Sequence, residues 1–165
     1  MSHGAERQPV LYAFATASLL SVAVVVVMGK VSDRLGRRPV MLIGMVAFIA
    51  LLLPIFNWLA SSNILLIFFA FMVGLTCHST IYGPLAAFIS EQFGTAARYT
   101  GASVGYQMAT LLGAGFTPSI LATLYGADGQ ISRVLLYLGI LTAISGIAIL
   151  LTKESKNIDL HTYEH

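Results

Sequence analysis

The chain has 165 residues, of which 57% are hydrophobic and only 10% are charged, whereas about 25% of the residues in a soluble domain carry a charge. A soluble fold of this size needs more charged residues to cover its surface. The composition therefore predicts an all-α, polytopic membrane protein. The net charge of +2 is too small to indicate nucleic acid as a partner, and a single cysteine, Cys77, excludes an internal disulfide.

Five uncharged stretches match the roughly 20 residues with which an α-helix crosses a bilayer. We predict spans at residues 9–28, 39–60, 64–90, 99–125 and 134–152, with a polar cytoplasmic tail at residues 153–165. The first stretch has bilayer length and ends in a basic segment, so we interpret it as a spanning helix and not as a cleaved signal peptide. Membrane strands are excluded because they need alternating polarity over about 10 residues.

All five prolines fall at or inside these predicted spans, and three of them lead to expectations about helix geometry. Pro39 opens the second span at a favourable first-turn position. Pro54 is expected to kink the outer part of the same span, since proline removes a backbone hydrogen bond. The Gly83-Pro84 pair is expected to break the third span near its end.

The basic residues are concentrated on one side of the predicted spans, and cytoplasmic segments retain lysine and arginine. This side carries Lys30, Arg34, Arg37, Arg38, Arg98, Lys153 and Lys156, whereas the other side carries Arg7 and Arg133. We therefore predict that the N-terminus lies outside and the C-terminus inside. Trp58, beside the polar turn at residues 61–63, fits an anchor at the outer interface.

The strongest local signal is the sequence Gly-Lys-Val-Ser-Asp-Arg-Leu-Gly-Arg-Arg at residues 29–38, which we predict to be a short cytoplasmic loop. One interpretation is that its four basic residues only set the orientation of the chain in the membrane, which they would do in any order. The ordered glycines and Asp33 favour a structural latch instead, because a carboxylate can accept hydrogen bonds from the free N–H groups of a neighbouring helix. Arginines can also pair with Asp33.

This segment resembles the signature loop of the major facilitator superfamily, G-x-x-x-D-R-x-G-R-R. Every fixed position is met, by Gly29, Asp33, Arg34, Gly36, Arg37 and Arg38. In that superfamily the loop lies between the second and third helices and recurs between the eighth and ninth. The resemblance implies that it acts as a conformational latch between two six-helix halves.

A second stretch resembles the tenth and eleventh helices of the metabolite:proton symporters. It comprises Tyr82, Gly83, Pro84, Glu91, Phe93, Arg98 and the segment from Gly101 to Gln107, with departures at Leu85, Gly94 and Ala96. The resemblance covers about residues 8–160 and implies that the five spans are helices eight to twelve of a twelve-helix transporter of the bacterial inner membrane. It also implies alternating access, with proton coupling as a family expectation.

Small residues recur along the fourth span, where Gly101 and Gly105 form a G-x-x-x-G step followed by Gly113 and Gly115. Small residues let helices approach closely in lipid. This pattern is compatible with a sliding contact between helices and equally with static packing. Glu91 and Arg98, which flank the predicted cytoplasmic turn, are expected to join Arg37 and Arg38 in a charge network that favours one conformation.

A proton relay needs an ionisable group at membrane depth, and His78 is the single candidate within the spans. Histidine changes charge near physiological pH, so His78 can serve as a proton or substrate group. The competing interpretation is a neutral histidine that is hydrogen-bonded to a nearby backbone or hydroxyl group. Tyr82, Tyr106 and Gln107 are further candidates to face a central cavity, because a lone buried amide in lipid costs several kcal/mol.

Other kinds of site have weak support. His161 and His165 do not make a metal site, the sequence has neither a phosphate-binding glycine loop nor a G-x-S-x-G elbow, and we expect no cofactor and no enzymatic activity. We predict the C-terminal part of a secondary transporter whose partners are the bilayer, a small metabolite, a proton and the missing N-terminal helices. Alone it is expected not to transport. The alternative is a non-transporting membrane partner or assembly subunit.

Overall fold

A computed structural model describes residues 7–93, 97–126 and 129–152, and these residues form five α-helices. The helices are α1 (Arg7–Leu35), α2 (Arg37–Leu59), α3 (Ile64–Glu91), α4 (Arg98–Tyr125) and α5 (Ile131–Leu151). All five are long and apolar enough to cross a membrane, and the shortest, with 21 residues, is about 32 Å long at 1.5 Å per residue. The all-α prediction with five spans is confirmed. The predicted tail at residues 153–165 lies outside the described residues.

Two predicted interruptions are wrong. Residues 29–38 are not a loop, because α1 continues to Leu35 and only Gly36 separates it from α2. Hydrophobic length limits the membrane-crossing part of a helix but not the helix itself, which continues until a residue such as glycine ends it. The Gly83-Pro84 pair does not break α3, which continues to Glu91. A single missing N–H is tolerated inside a membrane helix because the neighbouring turns keep their hydrogen bonds.

The chain divides into two compact units, residues 1–85 and residues 86–165. The first unit contains α1, α2 and most of α3. Small residues set its packing, since a methyl group added to Gly44 of α2 would lie 2.9 Å from the Ile81 side chain. Between α1 and α3, the rings of Phe14 and Phe71 pack edge to face with centroids 5.2 Å apart. Apolar residues alone give little association in lipid, so close packing of this kind determines which faces meet.

The backbones of α3 and α1 approach each other closely in the first unit. A methyl group added to Gly83 would lie 2.8 Å from the Val25 carbonyl oxygen and 3.0 Å from the Gly29 backbone nitrogen. One turn earlier along α3, the Ser79 hydroxyl donates a hydrogen bond to the Ser21 carbonyl at 3.4 Å. Glycine is therefore required at position 83 because any side chain would meet backbone atoms, which cannot rotate away.

The second unit contains the end of α3 together with α4 and α5, which pack against each other. Val134 and Ile149 of α5 are buried, whereas α4 has no buried residue among those described. The Phe93 ring covers Gly101, where an added methyl group would lie 2.5 Å from a ring carbon. Gly126, with φ 56°, ends α4 in a conformation that glycine adopts without steric cost.

The contact at Gly83 leads to a prediction about stability. Gly83→Ala is expected to reduce the free energy of unfolding by about 1–3 kcal/mol because it overpacks the crossing of α1 and α3. Gly74→Ala on the same helix is the matched control, since a methyl group there meets nothing within 4 Å. The measurement is unfolding by added sodium dodecyl sulfate in mixed micelles, followed by circular dichroism. Equal stability of the two variants would contradict the proposed close approach.

Candidate functional site

The second glycine of the motif at residues 29–38, Gly36, has a direct structural basis. This residue has φ 105° and ψ 151°, a combination that is essentially restricted to glycine. Its amide still donates to the Ser32 carbonyl at 2.9 Å, which closes the last turn of α1. A single residue therefore connects α1 to α2, and the short connection holds the charged residues on either side of it close together.

The Asp33 carboxylate pairs across this connection with the Arg37 guanidinium, at 2.8 Å. Arg37 belongs to the first turn of α2 and its side chain is only 15% exposed, whereas Asp33 is 64% exposed. We expected hydrogen bonds to Asp33 from helix N–H groups, but no side chain caps the start of α2. An exposed pair contributes only about 0–1 kcal/mol to stability, so this pair orients the two helix ends more than it stabilises them.

Gly29, the first residue of the motif, lies on the face of α1 that meets α3. A methyl group added to Gly29 would lie 3.8 Å from the Gly83 carbonyl oxygen, an ordinary contact distance. The Ser32 hydroxyl is buried and donates to the Gly29 carbonyl at 2.6 Å. The motif is thus in contact with α3 at Gly83, a link that the sequence motif by itself did not indicate.

Glu91 and Arg98 lie in the second unit, at the end of α3 and the start of α4. The Arg98 Nε atom is buried and has no hydrogen-bond partner within the described ranges. Their network with Arg37 and Arg38 stays a prediction. Residues 94–96, which include the departures Gly94 and Ala96 from the symporter pattern, lie outside the described residues.

His78 and Tyr82 come together on α3, one helical turn apart. Their rings stack with centroids 5.3 Å apart and an interplanar angle of 18°, and both side chains are exposed. His78 follows the first residue of α3 by fourteen positions and precedes the last by thirteen. At 1.5 Å per residue it lies about 20 Å from either end, which corresponds to the middle of a membrane-crossing helix.

The competing interpretation of His78 required a hydrogen bond to a nearby backbone or hydroxyl group. The Thr80 hydroxyl instead donates to the Thr76 carbonyl at 2.8 Å, and the Ser79 hydroxyl donates to Ser21. No hydrogen bond joins the His78 side chain to any residue that the structure describes. The aromatic contact of His78 within the described ranges is the stack with Tyr82.

The remaining candidates lie on α4, in the second unit. Tyr106 and Gln107 are exposed, and their place at a central cavity stays a prediction. Gly101 lies under the Phe93 ring, whereas a methyl group on Gly105, Gly113 or Gly115 would meet no described atom within 4 Å. The predicted role of this glycine series in helix packing is therefore untested along most of α4.

Sequence analysis missed a groove in the first unit, which has a volume of about 580 Å³. Its lining is contributed mainly by α2 and α3 and is apolar except for two threonines and a cysteine; it includes Ile43, Leu51, Phe69, Thr76, Cys77 and Thr80. No sequence signal could have located it, because these helices are apolar on every face. Within the described ranges no cluster of metal-ligating side chains occurs, and His161 and His165 lie beyond them.

Comparison with known proteins identifies the protein family of this chain. The family model of the Major Facilitator Superfamily matches residues 3–162, which is nearly the whole chain. The chain therefore belongs to the major facilitator superfamily, and it is a multi-pass membrane protein with five candidate spans. No solved structure matches it.

Several curated bacterial proteins are similar to the chain. The inner membrane metabolite transport protein YhjE of Escherichia coli K12 is 37% identical over 95% of this chain and 36% of its own length. The shikimate transporter of the same strain is 37% identical over 76% of this chain and 29% of its own length. The proline/betaine transporter of Salmonella typhimurium is 31% identical over 79% of this chain and 26% of its own length. The chain thus spans about a third of the length of these relatives, each of which is named as a transport protein.

The geometry of Gly36 leads to a second prediction. Gly36→Ala is expected to reduce the free energy of unfolding by about 1–3 kcal/mol, because alanine is strained at this backbone conformation. Gly115→Ala, at an uncrowded helical position, is expected to be neutral or to stabilise by up to about 1 kcal/mol through its helix propensity. Unfolding in mixed micelles measures both. A Gly36→Ala protein as stable as the Gly115→Ala protein would argue against the strained connection.

Proposed function

We propose that the chain forms helices eight to twelve of a secondary active transporter, which moves a small organic metabolite by alternating access with proton coupling. In this mechanism two helical halves rock about a site near the bilayer midplane. The observation that supports this proposal most is the complete motif at residues 29–38. This motif connects α1 to α2 through Gly36 and contacts α3 at Gly83.

The motif supports the proposal because it can hold one conformation. The ion pair between Asp33 and Arg37 joins the end of α1 to the start of α2. Arginine can form several hydrogen bonds in a fixed fork, so Arg34, Arg37 and Arg38 can also bind acidic groups of a facing half. A contact that forms in only one conformation shifts the equilibrium by its differential free energy. We therefore propose that these residues, with Glu91 and Arg98, are the conformational latch.

The substrate class rests on two observations. The relatives are named as transporters of metabolites, shikimate, and proline or betaine. In this chain, the stacked His78 and Tyr82 provide polar groups at the middle of α3. We propose an organic acid or a compatible solute as the substrate, with His78 and Tyr82 contributing to its site. Tyr106 and Gln107 of α4 are the further residues proposed for this role.

Uptake measurements test the transport proposal. The chain is co-expressed with a polypeptide carrying the first seven helices of the Escherichia coli YhjE protein, and uptake of labelled shikimate, proline and betaine is measured in cells. We expect uptake only when both chains are present, with its loss on addition of a protonophore. Asp33→Asn is expected to lower the rate by about tenfold or more because it removes the charge of the latch carboxylate.

The controls separate the alternatives. Arg133→Gln, which changes a charge on the proposed outer side, is expected to leave uptake nearly unchanged. Uptake by this chain alone would refute the prediction that it needs the missing helices. If the two chains copurify but take up none of the three solutes, the alternative of a non-transporting partner or assembly subunit is favoured.

Orientation is tested independently of transport. We propose that the N-terminus lies outside and the C-terminus in the cytoplasm, because the junction of α1 and α2 carries four of the nine lysine and arginine residues and cytoplasmic segments retain such residues. A green fluorescent protein fused to the C-terminus is expected to fluoresce, and alkaline phosphatase fused there is expected to be inactive. The reverse pair of results would invert the proposed topology.

A further inference from the structure

The helices α1 and α3 touch at three successive levels. An edge-to-face aromatic pair, an interhelical hydrogen bond and a backbone contact follow one another along α3: Phe14 with Phe71, Ser21 with Ser79, and Val25 with Gly83. The separation along the sequence is 57 residues for the first pair and 58 for the other two. A nearly constant separation means that the two helices run in the same direction and stay in register from Phe71 to Gly83, which is about 18 Å.

The contact at Gly83 resists sliding and rotation of α1 against α3. Gly83 fits between two successive turns of α1, because a methyl group built on it would lie 2.8 Å from the Val25 carbonyl oxygen and 3.0 Å from the Gly29 backbone nitrogen. The Met28 Cβ atom lies 3.3 Å from the same point, so a rotation that brings Met28 closer has no space. A shift along the axis would also break the hydrogen bond of Ser79, and lipid offers that hydroxyl no replacement partner.

The two sides of this contact belong to the two parts of the proposed machinery. Gly29 is the first residue of the motif, and α1 continues from it without interruption through Asp33. On α3, Gly83 directly follows Tyr82, one of the residues proposed for the substrate site. Because the contact is made by backbone atoms, a displacement of α3 beside Tyr82 is passed to the motif without being absorbed by a flexible side chain.

We propose that Gly83 is a positioning residue for the latch, because it holds α1 in register with α3 so that the two helices move as one rigid pair. A movement at the middle of α3 then carries the end of α1, with Asp33, to a new position. Packed interfaces have discrete arrangements and do not deform continuously, so a fixed register lets a small shift decide whether the latch contacts form. This role rests on the proposed transport function, since that function gives the latch two states to distinguish.

The first experiment measures the register of α1 and α3 in the intact 165-residue chain in phosphatidylcholine nanodiscs. Spin labels are attached to cysteines introduced by Leu35→Cys and Leu65→Cys in a Cys77→Ser background, and the distance between them is measured by double electron–electron resonance. Both leucines are exposed and lie at opposite ends of the helix pair, roughly 40 Å apart along the helix axes at 1.5 Å per residue. One narrow distance distribution is expected.

Three variants test the source of this register. Gly83→Ala is expected to broaden the distance distribution about twofold or more, because its methyl group and the backbone of α1 cannot occupy the present positions together. Ala70→Val overpacks a buried site of the same helix nine positions from Ser79, which is a rotation of about 180° away from α1. Gly29→Ala adds a methyl group at an ordinary distance of 3.8 Å from the Gly83 carbonyl oxygen. The two control variants are expected to keep the narrow distribution, and equal distributions in all three overturn the proposal.

A milder pair of variants decides the question if Gly83→Ala does not fold. Met28→Ile places a second carbon on the Cβ atom that lies beside Gly83, whereas Met28→Leu keeps a similar volume without branching at Cβ. Met28→Ile is expected to broaden the distance distribution and Met28→Leu to leave it narrow. A distribution that is equally narrow in both variants contradicts the tight register at Gly83.

The second experiment asks whether Gly83 acts through the latch. Uptake is measured with the co-expressed first seven helices of the YhjE protein and is normalised to the amount of chain in the membrane. Gly83→Ala is expected to lower the maximal rate about tenfold and to change KM less than about threefold. Added to Asp33→Asn, it is expected to cause less than about twofold further loss, because both changes act on one contact. Any loss from Ala70→Val is expected instead to multiply with that of Asp33→Asn.

The outcomes distinguish the positioning role from the transport function. If the co-expressed chains take up substrate and the losses from Gly83→Ala and Asp33→Asn multiply, Gly83 acts independently of the latch, and its positioning role is refuted while the transport function stands. If no solute is taken up but Gly83→Ala alone broadens the distance distribution, Gly83 holds the motif in register and the transport function is refuted.

Discussion

The crossing of α1 and α3 is the contact on which the geometry of the first unit depends. At Gly83 the two backbones approach so closely that a side chain has no space, and Gly29 of the signature motif lies at the same crossing. Lipid is as apolar as these side chains, so moving them from lipid into a helix contact gains little free energy. The helices are therefore held together by close van der Waals packing between small residues. The crossing also joins two parts of the proposed machinery. The motif at the ends of α1 and α2 begins at this crossing, with Gly29. On α3, Tyr82 directly precedes Gly83, and His78 lies four residues before Tyr82.

A second constraint is that lipid offers no hydrogen-bonding partner to a polar group. The hydroxyl groups of Thr16, Thr110, Thr123 and Thr142 each donate to the carbonyl four residues earlier, at 2.8–2.9 Å. The hydroxyl groups of these four threonines are therefore satisfied within their own helix and do not need a partner elsewhere. His78 differs from them, because its ring has no such bond among the described residues.

The proposed latch and the proposed substrate site at His78 and Tyr82 differ in the physical effect that each uses. Asp33 is largely exposed, so its pairing with Arg37 adds little stability and can be exchanged for other partners at small cost. That property suits a contact that must form and break as the conformation changes. His78 lies at the middle of α3, where an ionisable side chain almost always faces protein or water. A reversible contact at the helix ends and a polar site at mid-membrane are both compatible with alternating access, in which a substrate is held while the latch opens.

The sequence alone determined that this is a five-helix membrane protein, because the length of an uncharged apolar stretch decides whether a helix can cross the hydrocarbon core. It also determined the family, through the fixed positions between Gly29 and Arg38. It did not give the helix ends correctly at residues 29–38, since the boundary of an apolar stretch is not the end of a helix. Only the tertiary structure decided that Gly29 meets Gly83, that a groove lies between α2 and α3, and that the His78 ring stacks on Tyr82. The physical reason is that helices apolar on every face carry no periodic signal, so the choice of packed face depends on where small residues from different helices fit together.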